Sequence, residues 1–142
     1  MTHLSAPPFR LIRRSPILST PPLGPSRRRY ANAAILVEAA PEIAPDTLLM
    51  HLKAMERAAG RRPNLRWGRR PLDLDIILWS GGRWASPGLT IPHKAYRARA
   101  FVLVPLAAVA PHWPAPDTRH TPRQLIARLK KPKPAQNRLT RA

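Results

Sequence analysis

Apolar and polar positions change period several times along this 142-residue chain. From Phe9 an extended pattern runs through Leu11, Ile12, Ile17 and Leu18 to about Thr20, and Pro16 within it suits an edge strand. Pro21-Pro22-Leu23-Gly24-Pro25 reads as a stiff loop. Residues 30–38, with Ile35, Leu36 and Val37, read as a second strand. Leu48, Leu52, Met55 and Ala59 then recur on one face at helical spacing. Asp46 or Thr47 is the expected cap of that helix and Gly60 its end. Period two returns in Leu72-Asp73-Leu74-Asp75-Ile76-Ile77-Leu78-Trp79, an expected strand. A turn at 80–83 leads to a return strand from Trp84. Residues 101–110 suit a helix with Pro105 near its start, with a short extended segment as the alternative. Thr121 caps a last helix that has Pro122 at its first position and Leu125, Ile126 and Leu129 on its apolar face. Strands mixed with separate helices give an α+β sheet with helices on one face. No internal repeat is present.

Composition narrows the classes. The length suits one domain, expected over 9–129. Residues 130–142 are rich in Lys and Pro, lack periodicity, and are expected to be a disordered basic tail. The chain has no cysteine, which excludes disulfides and Cys-based zinc sites. No apolar run reaches the roughly 18 residues of a membrane span. Lys and Arg number 25 against 7 Asp and Glu, a formal charge of +18. That balance favours a polyanionic partner: nucleic acid, an anionic membrane or a phosphate-rich small molecule. Arginine outnumbers lysine, as planar phosphate contacts favour, although a GC-rich genome has the same effect. The first acid is Glu38, so the N-terminus resembles a transit peptide in composition. Its alternation and proline turn suit a strand better.

The candidate chemistry begins at Asp73 and Asp75. Alternate residues of a strand share a face, which sets these two carboxylates about 7 Å apart, with Leu74 and Ile76 on the other side. Two neighbouring carboxylates repel unless a cation neutralises them. Magnesium accepts one or two carboxylates and completes its shell with water and phosphate. A bare Asp-x-Asp is more often an ordinary solvent-facing strand. Here it follows Arg66-Trp67-Gly68-Arg69-Arg70, with Arg61 and Arg62 further upstream, so acids and guanidinium groups converge as a triphosphate requires. A second cluster is Pro92-His93, followed by Arg97, Arg99 and Phe101, where Phe101 is either core or a platform for a planar ring. A third is Thr20-Pro21-Pro22-Leu23-Gly24 with Tyr30 and Asn32, a rigid loop and an amide suited to a flat polar heterocycle. No Walker-type phosphate loop, protein-kinase signature or zinc spacing is present.

Together these segments resemble the 6-hydroxymethyl-7,8-dihydropterin pyrophosphokinase family, which carries Arg-Trp-Gly-Pro-Arg-x-hydrophobic-Asp-Leu-Asp-Ile. This chain has Arg66-Trp67-Gly68-Arg69-Arg70-Pro71-Leu72-Asp73-Leu74-Asp75-Ile76, with Arg69 in place of the proline. Residues 89–101 resemble the family's later Pro-His…Arg-x-Phe block, and Glu56 and Gly60-Arg61 fall where the family has Glu and Gly-Arg. The resemblance implies a ferredoxin-like antiparallel sheet with helices packed on it. It implies transfer of pyrophosphate from ATP to the pterin hydroxymethyl oxygen with release of AMP, in folate biosynthesis. Asp73 and Asp75 would bind two magnesium ions, and Arg70, His93 and Arg99 would be catalytic. Glu56, Arg61, Arg62 and Arg66 would join those three in binding ATP. Thr20, Pro22, Leu23, Gly24, Tyr30, Asn32, Trp67 and Phe101 would enclose the pterin.

The family's first strand and helix precede the equivalent of Phe9 and are missing here. The domain is therefore expected to be N-terminally truncated, with unpaired edges. A cytoplasmic monomer is expected, with small-molecule partners and neither membrane nor nucleic acid. The rival readings are a basic nucleic-acid-binding protein and an inactive fragment of the pyrophosphokinase.

Overall fold

The computed structural model describes residues 2–20, 30–60 and 72–130. After a 3-10 helical turn at Thr2–Ser5, the chain forms a long hairpin broken at one corner. Strand β1 (Phe9–Arg14) pairs antiparallel with β4 (Ile35–Ala39), and β2 (Leu18–Thr20) with β3 (Tyr30–Asn32). Each of the two strands expected from sequence is thus divided in two. The break falls at Pro16, which has no N–H for a ladder. Ser15 bridges the corner: its N–H donates to Ala34 O at 2.9 Å, and its Oγ accepts Ala34 N–H at 2.8 Å. The β1–β4 register also shifts between Leu11 and Arg13, leaving Ile12 unpaired in the bulge and 40% exposed.

Helix α1 (Pro45–Ala58) lays Leu52 into the core, with Leu48, Leu49 and Met55 at its margin. Its N-cap residue is Ala44, with no side-chain cap. The two expected caps, Asp46 and Thr47, both lie inside the helix, and Asp46 accepts a hydrogen bond from Ser86 Oγ at 2.5 Å. Gly60 ends the helix as expected: its φ is +99°, a conformation open to glycine at little cost.

Residues 72–79 form neither helix nor sheet among the described residues. This corrects the reading of the segment as a strand. The return strand pairs elsewhere as well: β5 (Trp84–Ser86) forms a tight hairpin with β6 (Leu89–Ile91), with Gly88 at φ +83° in the turn. Side-chain packing holds 72–79 in place of a ladder. Ile76 is buried with Phe9, Leu52, Leu89 and Ile91, and Leu74 and Trp79 pack at the edge of that cluster. Ile77 and Leu78 pack against a second cluster of Tyr96, Leu103, Leu106, Ala115 and Leu125. The segment therefore threads between both cores.

Helix α2 (Ala100–Val109) contains Pro105 within its length rather than at its start. It packs on helix α3 (Pro122–Lys130) and also touches β1 to β4. The start of α3 follows the sequence: Gln124 N–H donates to Thr121 Oγ1 at 3.2 Å, and Thr121 N–H donates to Gln124 Oε1 at 2.9 Å, a reciprocal capping box. The architecture is a small α+β fold with antiparallel pairings. No helix among the described residues is long and apolar enough to cross a membrane. The expected tail lies outside the described residues except for Lys130, which ends α3.

Candidate active site

The acidic segment keeps the facing expected of it without sheet pairing. Asp73 and Asp75 are exposed, Leu74 is half-buried and Ile76 is buried. Two carboxylates therefore reach solvent, while Leu74 between them and Ile76 after them hold the backbone to the core. Glu56 supports it from behind. This residue is 2% exposed, and its Oε1 accepts the Leu74 N–H at 2.7 Å. Its Oε2 meets Lys53 Nζ at 3.3 Å. Leu74 lies between the two aspartates, so the buried carboxylate holds the backbone that carries both.

The His93 block joins the same segment. His93 N–H donates to Ile77 O at 3.1 Å, which brings the segment 92–94 alongside the acidic one. His93 Nδ1 accepts the Ala95 N–H at 3.3 Å. With Nδ1 as acceptor, the neutral ring carries its proton on Nε2 and offers a donor there. Six residues on, the Arg99 guanidinium carbon stands 5.6 Å from the centre of the Phe101 ring, within cation–π range. Phe101 is half-buried at the start of α2 and Asn32 is half-buried on β3, and these two elements touch.

Arg97 departs from the phosphate cluster suggested by its spacing. Its Nη1 lies 3.9 Å from Asp117 Oδ2. Asp117 also accepts the Tyr96 hydroxyl at 2.7 Å. Tyr96 is 1% exposed, and burial, reinforced by the bond to Asp117, raises its pKa from 10.0 to about 12. Tyr96 thus fixes the turn between His93 and Arg99 to the loop ahead of α3. Sequence reading passed over this pair, because nothing local to Tyr96 signals a partner that far along the chain.

The donor set suits a hard divalent cation. Two exposed carboxylates from one segment provide oxygen ligands and leave most of a coordination shell to water and phosphate, as magnesium favours. Among the described residues no group of three or more His, Asp or Glu side chains is positioned to hold a metal by itself. Of the remaining expected site residues, Pro22, Leu23, Gly24, Arg61, Arg62, Arg66, Trp67 and Arg70 lie outside the described residues. Thr20 and Tyr30 are placed only as backbone, at the paired ends of β2 and β3.

The model of the family described as 7,8-dihydro-6-hydroxymethylpterin-pyrophosphokinase matches residues 1–111. A Pseudomonas aeruginosa protein named 2-amino-4-hydroxy-6-hydroxymethyldihydropteridine pyrophosphokinase is 43% identical over 122 residues, which cover 85% of this chain and 74% of the relative. A protein of the same name from Methylorubrum extorquens is 40% identical over 111 residues, covering 77% of this chain and 69% of the relative. The Arabidopsis thaliana mitochondrial folate synthesis bifunctional protein is 45% identical over 78 residues, covering 55% of this chain and 14% of the relative.

Proposed function

Because this chain belongs to the 7,8-dihydro-6-hydroxymethylpterin-pyrophosphokinase family, we propose that it transfers pyrophosphate from ATP to 6-hydroxymethyl-7,8-dihydropterin and releases AMP, a step of folate biosynthesis. The hydroxymethyl oxygen forms a bond to the β-phosphorus of ATP, the bond from that phosphorus to the α-phosphate oxygen breaks, and the hydroxyl proton is lost.

The observation that carries the reading is the hydrogen bond from His93 N–H to Ile77 O at 3.1 Å. It brings together the two motifs that phosphoryl chemistry needs, carboxylates from one and cationic donors from the other. In this reading Asp73 and Asp75 hold magnesium, with two ions expected. A magnesium ion held there would supply neutralisation of the phosphate charge. The His93 Nε2–H donates to the ATP phosphates. Arg99, and with it Arg61, Arg62, Arg66 and Arg70, supplies guanidinium donors. Phe101 offers a ring face to the pterin, with the Arg99 cation beside it. Asn32 and Trp67 help to enclose the pterin, together with Thr20, Pro22, Leu23, Gly24 and Tyr30. Catalysis of this kind depends on alignment and charge neutralisation rather than on a covalent nucleophile.

The finer fold reading is a ferredoxin-like sheet with a domain over 9–129. The packing of Ala115 and Leu125 against Leu103 and Leu106 supports including α3 in that domain. A cytoplasmic monomer fits this chemistry. A nucleic-acid binder would gain nothing from exposing Asp73 and Asp75 to a phosphate backbone.

The test is AMP release from ATP, magnesium and 6-hydroxymethyl-7,8-dihydropterin, with Asp75→Ala alongside. Pterin-dependent AMP that disappears in the variant supports the reading. AMP formed at the same rate without pterin, or retained in Asp75→Ala, overturns it.

A further inference from the structure

Glu56 stands out because a carboxylate is a poor choice for its position. It is 2% exposed, and burying a charge is costly unless it is paired and hydrogen-bonded. It also lies in the last turn of α1, where the helix dipole is negative and opposes another negative charge. A carboxylate kept there against both effects is held by its partners. Among the described residues, Lys53 Nζ lies at 3.3 Å, itself half in water. The Leu74 N–H donates to it at 2.7 Å, a short charge-assisted bond to neutral backbone.

That second bond falls at a particular place. The amide of Leu74 follows Asp73 directly and precedes Asp75 by one residue. Holding the N–H direction fixes the peptide plane between 73 and 74, and so the angle at which the Asp73 side chain leaves the backbone. A strand within a sheet obtains this from its ladder. Residues 72–79 have no ladder among the described residues, and at Leu74 the carboxylate from α1 takes the place of a neighbouring strand's carbonyl.

We propose that Glu56 is a positioning residue for the metal-bearing pair: it acts through the Leu74 amide to aim Asp73 and Asp75, and it does not contact ATP. The proposal rests on the reading of those aspartates as the magnesium site. It reassigns Glu56, which the family resemblance sets among the ATP ligands.

Two variants separate reach from charge. Glu56→Gln keeps a carbonyl oxygen at the same reach and loses the charge. Glu56→Asp keeps the charge and draws the oxygen back by one methylene. Manganese, used as a probe, is titrated into each protein in the presence of a non-hydrolysable ATP analogue and followed by electron paramagnetic resonance. The magnesium dependence of AMP release and the KM for ATP at saturating magnesium are measured on the same preparations, after a thermal melt confirms folding. Residues that orient metal ligands typically change metal affinity by about 10–100-fold. The expected result is at least about tenfold weaker manganese binding and a matching rise in the magnesium requirement for Glu56→Asp. Glu56→Gln stays within about threefold of the parent. Neither variant changes the KM for ATP at saturating magnesium.

Four results would overturn the proposal. A raised KM for ATP in Glu56→Gln at saturating magnesium would make Glu56 an ATP ligand. A loss of metal affinity in Glu56→Gln as large as that in Glu56→Asp would show that reach alone does not account for its action, and a loss in Glu56→Gln alone would make its charge, not its reach, the important property. A lowered melting temperature in Glu56→Asp with unchanged manganese affinity would leave it a stabilising residue only. Failure of the underlying reading is distinct: then the parent protein shows no manganese binding that Asp75→Ala removes.

Discussion

Replacing Tyr96 by Phe removes one oxygen from a ring that is 1% exposed and leaves the ring in place. The oxygen removed is the donor to Asp117 Oδ1 at 2.7 Å. A hydrogen bond to a charged acceptor contributes about 1.5–3 kcal/mol. Asp117 keeps Arg97 at 3.9 Å and some contact with water, so the lower end, about 1.5 kcal/mol, is the expected loss near neutral pH. Alkaline pH gives a sharper test of the cause. The folded state holds the Tyr96 proton up to about pH 12, while the unfolded state releases it near 10.0. A raised pKa of this kind stabilises fully below the unfolded value and is lost as pH climbs through the folded one. At about 1.4 kcal/mol per pH unit, the parent chain loses about 1.4 kcal/mol by pH 11, and the variant has no such loss. Urea unfolding of both proteins at pH 7 and at pH 11 reads this directly. The parent's advantage should shrink from about 1.5 kcal/mol to near zero. Every other titrating group is common to the two chains and cancels. An advantage that stays constant between the two pH values would refute the reasoning, because the hydroxyl would then titrate as if it were in water.

Asp75→Asn should lower AMP release by about a thousandfold or more, several kcal/mol of lost phosphate neutralisation, with a melting temperature no lower than the parent's; a lowered melt would make the carboxylate structural. Arg99→Lys keeps the charge but loses the planar group beside Phe101, so kcat/KM for ATP should fall about tenfold, which steady-state kinetics would show. Leu103, at 0% exposure, should cost about 2–5 kcal/mol in urea unfolding when changed to Ala. Thr121→Ala opens the capping box of α3 and should cost about 1 kcal/mol, and Gln124→Ala in the same background should add little because the two side chains bond each other.

Local signals in the sequence were legible where one residue settles a conformation. Gly60 ends α1 at a positive φ, and Thr121 with Pro122 starts α3. The exposure of Asp73 and Asp75 against the half-buried Leu74 and the buried Ile76 also follows from local alternation, since the first core covers those two apolar positions and leaves the aspartates exposed. Pairings between distant residues were not legible. Asp46 is a good cap by type, but Ser86 engages it from 40 residues away. The return from Trp84 looked like a partner for 72–79. The Pro87-Gly88 turn instead closes β5 on β6 at once, and the signal for that was present in the Pro-Gly pair. Glu56 illustrates the wider limit: its type fits a family ligand equally well, and its burial and its bond to Leu74, on which the proposed positioning role rests, leave no local mark in the sequence.

The clamps on residues 72–93 have a consequence for how this protein can vary. Glu56 grips the chain at Leu74, His93 grips it at Ile77, and Asp46 grips it again at Ser86. Between the last two lies the turn at Gly82, whose own glycine has open space around it, whereas Gly81 lies flat against the Trp79 indole. Length added after Gly82 is therefore insulated on both sides from the aspartates and the histidine. Such a joint would let the chain be lengthened or shortened there without retuning the chemistry, and it offers an engineer a place to splice in an epitope or a fluorophore.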